Sequence, residues 1–178
     1  MRRWTSCISV FFILCCVLMA GCSKPEPVDE NIKVIKTVLE LNLNAPDEEV
    51  IRLLEEPYGS EEEEGFINKY NEYLEEKYGP YFTERGYEEF IMTAQASLFH
   101  ITADRHGYQL TVKNIEVEQN EVTPTNYNFT VTLDYEKDKE MEEIELSGIA
   151  IVHEGKIAKI TYHLNKDELK SLLHGEQD

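Results

Sequence analysis

Residues 144–164 constrain the fold more than any other segment, because they predict two β-strands joined by a tight turn. Apolar and polar residues alternate on both sides of Glu154-Gly155, which is typical of strands with one face on a core and one in water. If that turn has two residues, Ile151 faces Ala158 and Ile149 faces the next inward residue of the second strand. The segment therefore predicts the closing hairpin of an antiparallel sheet.

A one-residue β-bulge is predicted at Ser147-Gly148, where the apolar phase of the first strand changes. Ile144 and Leu146 share one phase, whereas Ile149 and Ile151 share the other. A bulge would bring both pairs onto one face and would bend the sheet. The buried face predicted in this way comprises Ile144, Leu146, Ile149, Ile151, Ala158, Ile160, Tyr162 and Leu164.

Two further strands precede the hairpin. Residues 127–135 alternate aromatic or aliphatic residues with polar ones without interruption. Residues 108–117 alternate in the same way, but their phase slips at Lys113-Asn114, which predicts another bulge. The sequence thus predicts a curved antiparallel sheet in the second half of the chain.

Amphipathic helices are predicted before the sheet, and the first carries apolar residues at helical spacing from Ile32 to Leu43. A second is predicted to begin at Pro46, and a third to end at Gly79-Pro80. A fourth, from about Gly86, is predicted to present Tyr87, Phe90, Ile91, Ala94 and Leu98 on one face. Residues 100–106 are predicted as a loop, and residues 166–173 as a short terminal helix.

Residues 1–21 resemble the signal peptide of bacterial lipoproteins. Arg2 and Arg3 form a positive n-region, and residues 8–20 form an apolar run that is too short for a spanning helix, which needs roughly 20 residues. The run ends in Ala20-Gly21-Cys22, which resembles a lipobox. This resemblance implies cleavage before Cys22 and attachment of a diacylglyceryl group to its thiol, with fatty acyl chains such as palmitate as the anchor.

The distribution of cysteines fits this interpretation. Cys7, Cys15 and Cys16 lie in the leader, and no cysteine follows Cys22. A mature domain of this kind has no disulfide, no thiolate metal site and no cysteine nucleophile. We therefore predict a signal peptide over residues 1–21, a lipidated tether over 22–31, a single α+β domain over 32–174 and a tail over 175–178. The predicted location is the extracytoplasmic face of the cell membrane.

The net charge of −18 excludes one class of partner. An acidic surface repels the phosphates of nucleic acids, so no nucleic-acid partner is expected.

The closing strands also carry a pattern of the form G-x-x-x-V-x-x-G-K-I-x-K-I-x-Y, which runs from Gly148 to Tyr162. Together with the aromatic helix from Tyr87 to Leu98, it resembles the nuclear transport factor 2-like superfamily, also called cystatin-like or SnoaL-like. The resemblance implies helices packed in a cone-like, curved sheet with a cavity between them. Members include enzymes of the ketosteroid isomerase type, dehydratases, binding modules and lipoproteins, so the fold alone does not decide the function.

Aromatic side chains are the candidates for lining such a cavity. Tyr70, Phe90, Phe129 and Tyr162 are predicted to face the space between helices and sheet. Rings at helical spacing also serve as ordinary core packing, so both interpretations stay open.

No catalytic, cofactor or metal site is predicted. An isomerase needs a carboxylate base and a hydrogen-bond donor inside a dry cavity, and the inward strand positions are apolar or tyrosine. The predicted loop with His100, Asp104 and His106 is a polar site without an identifiable third partner. The alternating acidic residues from Asp134 to Glu140 lack the glycine that an EF-hand loop requires.

The sequence therefore predicts a membrane-anchored, non-catalytic binding or protein-interaction module. Its partner would be an envelope protein, a second copy of the chain or a small apolar ligand. An isomerase or hydrolase of the same fold, and a purely structural role at the cell surface, are the alternatives.

Overall fold

The computed structural model describes residues 29–55 and 63–163. Five α-helices and one 3-10 helix precede four strands within these ranges: α1 (Glu30–Leu43), α2 (Glu48–Glu55), α3 (Glu63–Tyr78), the 3-10 helix Gly79–Tyr81, α4 (Glu84–Met92), α5 (Gln95–His106), β1 (Tyr108–Gln119), β2 (Asn126–Lys137), β3 (Glu140–His153) and β4 (Lys156–His163). The predicted leader with Cys22, most of the tether, Leu164, the terminal helix and the tail lie outside the described residues.

The four strands form one antiparallel sheet in the order β1-β2-β3-β4, with the helices packed on one of its faces. This confirms the predicted fold class, α+β with N-terminal helices on a curved antiparallel sheet. The predicted bulge in the first strand is also confirmed, because the pairing of β1 with β2 shifts between Val112 and Asn114. Bulges bend and twist the strands that carry them, so the sheet curves around the helices. In the part of the chain that the structure describes, no helix is both long and apolar enough to cross a membrane.

The predicted turn at Glu154-Gly155 is present, and both residues have positive φ angles. The predicted register of the hairpin is wrong by one residue, since Ala150 faces Ile160. The predicted bulge at Ser147-Gly148 is absent. A bulge lies instead in β4, where Ala158 has no partner between two paired residues.

Gly148 explains the difference in register. It has no side chain, and the ring of Phe129 fills the space beside it, so that an added Cβ would lie 2.2 Å from Phe129 Cζ. The strand can therefore keep one phase, in which Leu146, Gly148, Ala150 and Val152 are buried. Ile149, Ile151 and Ala158, which were predicted to be inward, are only half-buried.

The predicted fourth helix is two helices. Ala94 adopts a left-handed conformation with φ 57°, which ends α4 and begins α5. The predicted loop over residues 100–106 is wrong, because α5 continues to His106 and ends at Gly107, also left-handed. The buried side chains of α5 are mostly small, with Ala96 and Ala103 on either side of Phe99. The apolar stripe of this helix is therefore weak, and the sequence pattern did not predict a helix here.

The first helix is held against the sheet at both ends. Near its start, the Asn31 side chain donates to the Tyr127 hydroxyl on β2 (2.8 Å). Just beyond its end, Ala45 exchanges backbone hydrogen bonds with Leu110 on β1. Helix α1 therefore runs antiparallel to β1.

Candidate functional site

A buried polar pair joins α1 to the last strand. Asn42 lies on the inward face of α1, in helical phase with Ile35 and Leu39, and is fully buried. Its Oδ1 atom accepts a hydrogen bond of 2.7 Å from the Tyr162 hydroxyl, and its Nδ2 atom donates to the Gln95 carbonyl at 3.0 Å. Burial raises the pKa of Tyr162 well above its usual value, so the phenol stays protonated and acts as a donor. Asn42 was not predicted from the sequence, although a polar residue within an apolar helical stripe could have indicated a buried hydrogen-bonding group.

The partly buried ring of Tyr162 contacts two other rings. Its centroid lies 5.3 Å from that of Phe99 and 5.7 Å from that of Phe129, both in edge-to-face geometry. Edge-to-face pairs at these distances are favourable packing arrangements. Two of the predicted cavity-lining residues therefore contact each other, with Phe129 filling the space that Gly148 leaves.

The other two predicted lining residues lie elsewhere between the helices. Phe90 is 2% exposed, stacks on Phe82 at 4.7 Å and meets the edge of Tyr78 at 5.2 Å. Tyr70 on α3 is half-buried, and burial raises the pKa of its hydroxyl despite a hydrogen bond with Ser97. The rings of Phe90, Phe129 and Tyr162 thus lie between the helices and the sheet and pack against other aromatic rings.

A second polar residue, His100, is fully buried on α5. Its Nδ1 atom accepts a hydrogen bond of 3.2 Å from the backbone N–H of Asp47, which places the ring proton on Nε2. Among the described residues, no group meets the geometry of a hydrogen bond with the buried Nε2, although the backbone of Leu41 is near enough to raise the pKa of the ring. Burial and, to a smaller extent, the charge of Lys77 lower the pKa of His100 to about 4, with Asp47 and the backbone of Leu41 offsetting part of the shift. His100 is therefore neutral at pH 7, while Asp104, its predicted neighbour in a polar loop, is exposed.

Asp47 ties α2 to α3. Its Oδ1 atom accepts from the backbone N–H groups of Glu49 (2.8 Å) and Val50 (3.2 Å), which caps the start of α2. Its Oδ2 atom accepts from the Tyr73 hydroxyl (2.8 Å) and pairs with the Lys77 ammonium group. Burial alone would raise the pKa of Asp47, but these hydrogen bonds and the positive charge outweigh it and lower the pKa to about 2.

These groups offer little proton-transfer chemistry. Asp47 is a weak base with both oxygens engaged, and the Tyr162 hydroxyl already donates to Asn42. His100 is neutral and has no well-formed hydrogen bond at Nε2 within the described residues, but it is sealed from solvent. Within residues 29–55 and 63–163, no three His, Cys, Asp or Glu side chains are close enough to hold a metal ion.

Two surface grooves flank the C-terminal half of α1. One, of about 490 Å³, is lined by Glu40, Asn44 and Lys77 among others. The other, of about 420 Å³, lies between α1 and the bulge of β1 and again includes Glu40 and Asn44. Charged and amide residues are the majority in both linings, although the surface that the first groove exposes is mostly apolar.

Comparison with known proteins gives a likeness in architecture. No protein-family model matches the chain, and no curated protein matches it. Among solved structures, a candidate transfer protein, TraH, from the Gram-positive conjugative plasmid pIP501 has a TM-score of 0.48 at 12% identity, over 81% of this chain and 99% of its own.

Two crystal structures are similar at a lower level. A candidate polyketide cyclase from Xanthomonas campestris pv. campestris has a TM-score of 0.41 at 12% identity, over 82% of this chain and 99% of its own. A candidate SnoaL-like polyketide cyclase from Jannaschia sp. CCS1 has a TM-score of 0.39 at 14% identity, over 87% and 99%. Because every TM-score is below 0.5, these likenesses assign neither a family nor an activity to this chain.

Proposed function

We propose that this chain is a membrane-anchored extracytoplasmic lipoprotein whose domain is a non-catalytic, protein-binding module. The anchor would be a lipid on Cys22, as the leader sequence suggests. The partner would be another envelope protein, met by the outer surface of the domain rather than by its interior.

The observation that carries this proposal is the occupied interior. Phe129 lies against Gly148 so closely that even a methyl group would not fit, and Tyr162 lies between Phe129 and Phe99. The Tyr162 hydroxyl has its partner in Asn42. A small apolar ligand would have to displace these rings, at the cost of core packing that each ring contributes. A protein partner needs no such opening.

Membrane anchoring is tested in cells that express the full chain. A fatty acid carrying an alkyne group is fed to the cells, and membranes are separated from soluble protein. We expect the wild-type chain to carry the alkyne label and to sediment with membranes, and Cys22→Ala to lose both properties. Cys16→Ala, within the leader, is the matched control and should behave as wild type. Unchanged labelling and retention of Cys22→Ala would overturn the anchor.

An enzyme of isomerase or hydrolase type in the same fold is the second candidate, and His100 is the observation that favours it. A neutral buried imidazole, whose Nε2 has no well-formed hydrogen bond within the described residues, is a group that could hold or move a proton. Such a role requires a path from solvent to the ring.

Diethyl pyrocarbonate distinguishes the two candidates, because it modifies accessible neutral imidazoles. We expect His153 and His163, which are exposed, to react in the native domain, and buried His100 to react only on unfolding. Reaction of His100 at a rate similar to that of His153 would mean that the interior opens to small molecules. That result would favour the enzyme.

A further inference from the structure

The two ends of the sheet carry different connections between strands, so each end can be named when the orientation of the domain is described. One end carries the loop from β1 to β2 (residues 120–125) and the turn at Glu154-Gly155; we call it the loop end. The opposite end carries the turn at Asp138-Lys139; we call it the hairpin end. The backbone N–H of Val152 donates to the Thr125 carbonyl at 2.8 Å, which holds the two segments of the loop end together.

The N-terminus of α1 is fixed at the loop end by one tyrosine. The Tyr127 hydroxyl, at the start of β2, accepts from Asn31 Nδ2 at 2.8 Å and from Gln119 Nε2 at 3.2 Å. It donates to Asp29 Oδ2 at 3.1 Å, while Asp29 Oδ1 caps α1 by accepting from the Asn31 backbone N–H at 2.9 Å. The chain therefore enters the domain at a point that is tied to the sheet rather than loosely attached.

We propose that the loop end of the sheet faces the bilayer and that the hairpin end points away from it. This inference rests on the proposed lipid anchor at Cys22. Seven residue steps separate Cys22 from Asp29, a span of at most about 25 Å for an extended chain. The sheet extends up to about 36 Å further, because β2 advances about 3.3 Å per residue over its 12 residues. The short connection limits how far the loop end can lie from the headgroups, whereas the hairpin end can lie a full sheet length further away.

The charge of the loop end indicates how it meets the membrane. Glu118, Glu121 and Glu154 are exposed there, against one exposed lysine of the same turn, Lys156. Acidic side chains are not attracted to anionic headgroups, so the tether rather than surface adsorption holds this end near the bilayer. The hairpin end is then the part of the domain that a partner protein reaches first.

Energy transfer to labelled lipid tests the orientation. The mature chain has no cysteine after Cys22, so a single cysteine introduced elsewhere is the one thiol available for a fluorescent donor once Cys22 is lipidated. Val122, 91% exposed in the loop, and Met141, 64% exposed beside the far turn, are matched positions at the two ends. The processed V122C and M141C chains, without the leader and its three cysteines, are mixed with phosphatidylcholine vesicles that carry an acceptor on their headgroups.

We expect transfer from V122C to be severalfold more efficient than transfer from M141C. Equal transfer, or stronger transfer from M141C, in protein that floats with the vesicles would overturn the orientation and leave the anchor intact. Absence of transfer from both labels, with the protein left in the soluble fraction, would overturn the anchor and the orientation with it.

Discussion

The hydroxyl of Tyr162 lies 2.7 Å from Asn42 Oδ1 and joins the last described strand to the first helix across 120 residues of sequence. Asn42 is fully buried and Tyr162 is partly buried, and each supplies the hydrogen-bonding group that the other needs. A pair of this kind holds α1 in one position over the sheet, because a shift of the helix would leave an unpaired polar atom in the core.

Tyr162→Phe should destabilise the domain by about 1–3 kcal/mol, since Asn42 Oδ1 would lose its donor while remaining buried. Urea unfolding followed by circular dichroism measures this. Thr161→Val, which removes an exposed hydroxyl from the neighbouring position, is the control and should change stability by less than about 0.5 kcal/mol. Equal stability of Tyr162→Phe and wild type would mean that the hydrogen bond contributes nothing to the position of α1.

Gly148→Ala should destabilise the domain by about 3 kcal/mol or prevent folding, because the new Cβ would lie 2.2 Å from Phe129 Cζ and 2.3 Å from the Thr161 carbonyl oxygen. Thermal unfolding is the measurement, with Ser147→Ala as the control on the same strand. Gly148→Ala combined with Phe129→Leu should recover only part of the loss, since the backbone oxygen remains in place. Full recovery would show that the ring alone determines the contact.

The lowered pKa of His100 predicts that the free energy of unfolding depends on pH. Its pKa is lowered from 6.5 to about 4 on folding, so the unfolded chain binds the proton more tightly between these values. The stability that this histidine contributes is complete above pH 6.5 and is lost as the pH falls towards 4. The loss should amount to about 3 kcal/mol.

Urea unfolding at a series of pH values tests this dependence. His100→Gln should flatten the slope between pH 6.5 and pH 4, whereas His163→Gln, at an exposed position, should keep it. A slope that is the same in both variants would rule out His100 as its source.

The Asp47–Lys77 pair should contribute more than an exposed pair. Their side chains are only 16% and 11% exposed, and Asp47 also caps α2. Lys77→Met should raise the pKa of Asp47 and cost about 1–3 kcal/mol, because a half-buried carboxylate would lose a charged donor.

The exposed pair Lys159–Glu89, at 2.8 Å, supplies the control, since both side chains are more than two-fifths exposed. Lys159→Met should cost less than about 1 kcal/mol. The pKa of Asp47 is followed by carbon-detected magnetic resonance of its carboxyl group during acid titration. An unchanged pKa in Lys77→Met would contradict the assigned role of the lysine.

The strands and their faces were largely predictable from the sequence, because alternation follows directly from the geometry of a strand. Val112 and Asn114 mark the first bulge where the sequence pattern changes phase. The register of the closing hairpin was not predictable, because it depends on the Phe129 ring that fills the space beside Gly148. The sequence pattern predicted that the large residues Ile149 and Ile151 face the core. The sheet instead buries smaller residues of the same strand, which leave space for rings.

The polar residues of the interior were harder to predict for a related reason. Asn42 was visible as a polar residue in an apolar stripe, but its partner Tyr162 is far away in sequence. His100 was placed in a loop because its helix buries mainly small residues. The Asp47–Lys77 pair depends on how α2 and α3 pack, which no local pattern in the sequence encodes.

Native mass spectrometry of the full chain extracted from membranes tests the proposed function most directly. The account predicts a protein that begins at Cys22, carries lipid on that residue and holds no small molecule in its interior. A chain without lipid, or one that retains a small molecule in a one-to-one ratio, would contradict it.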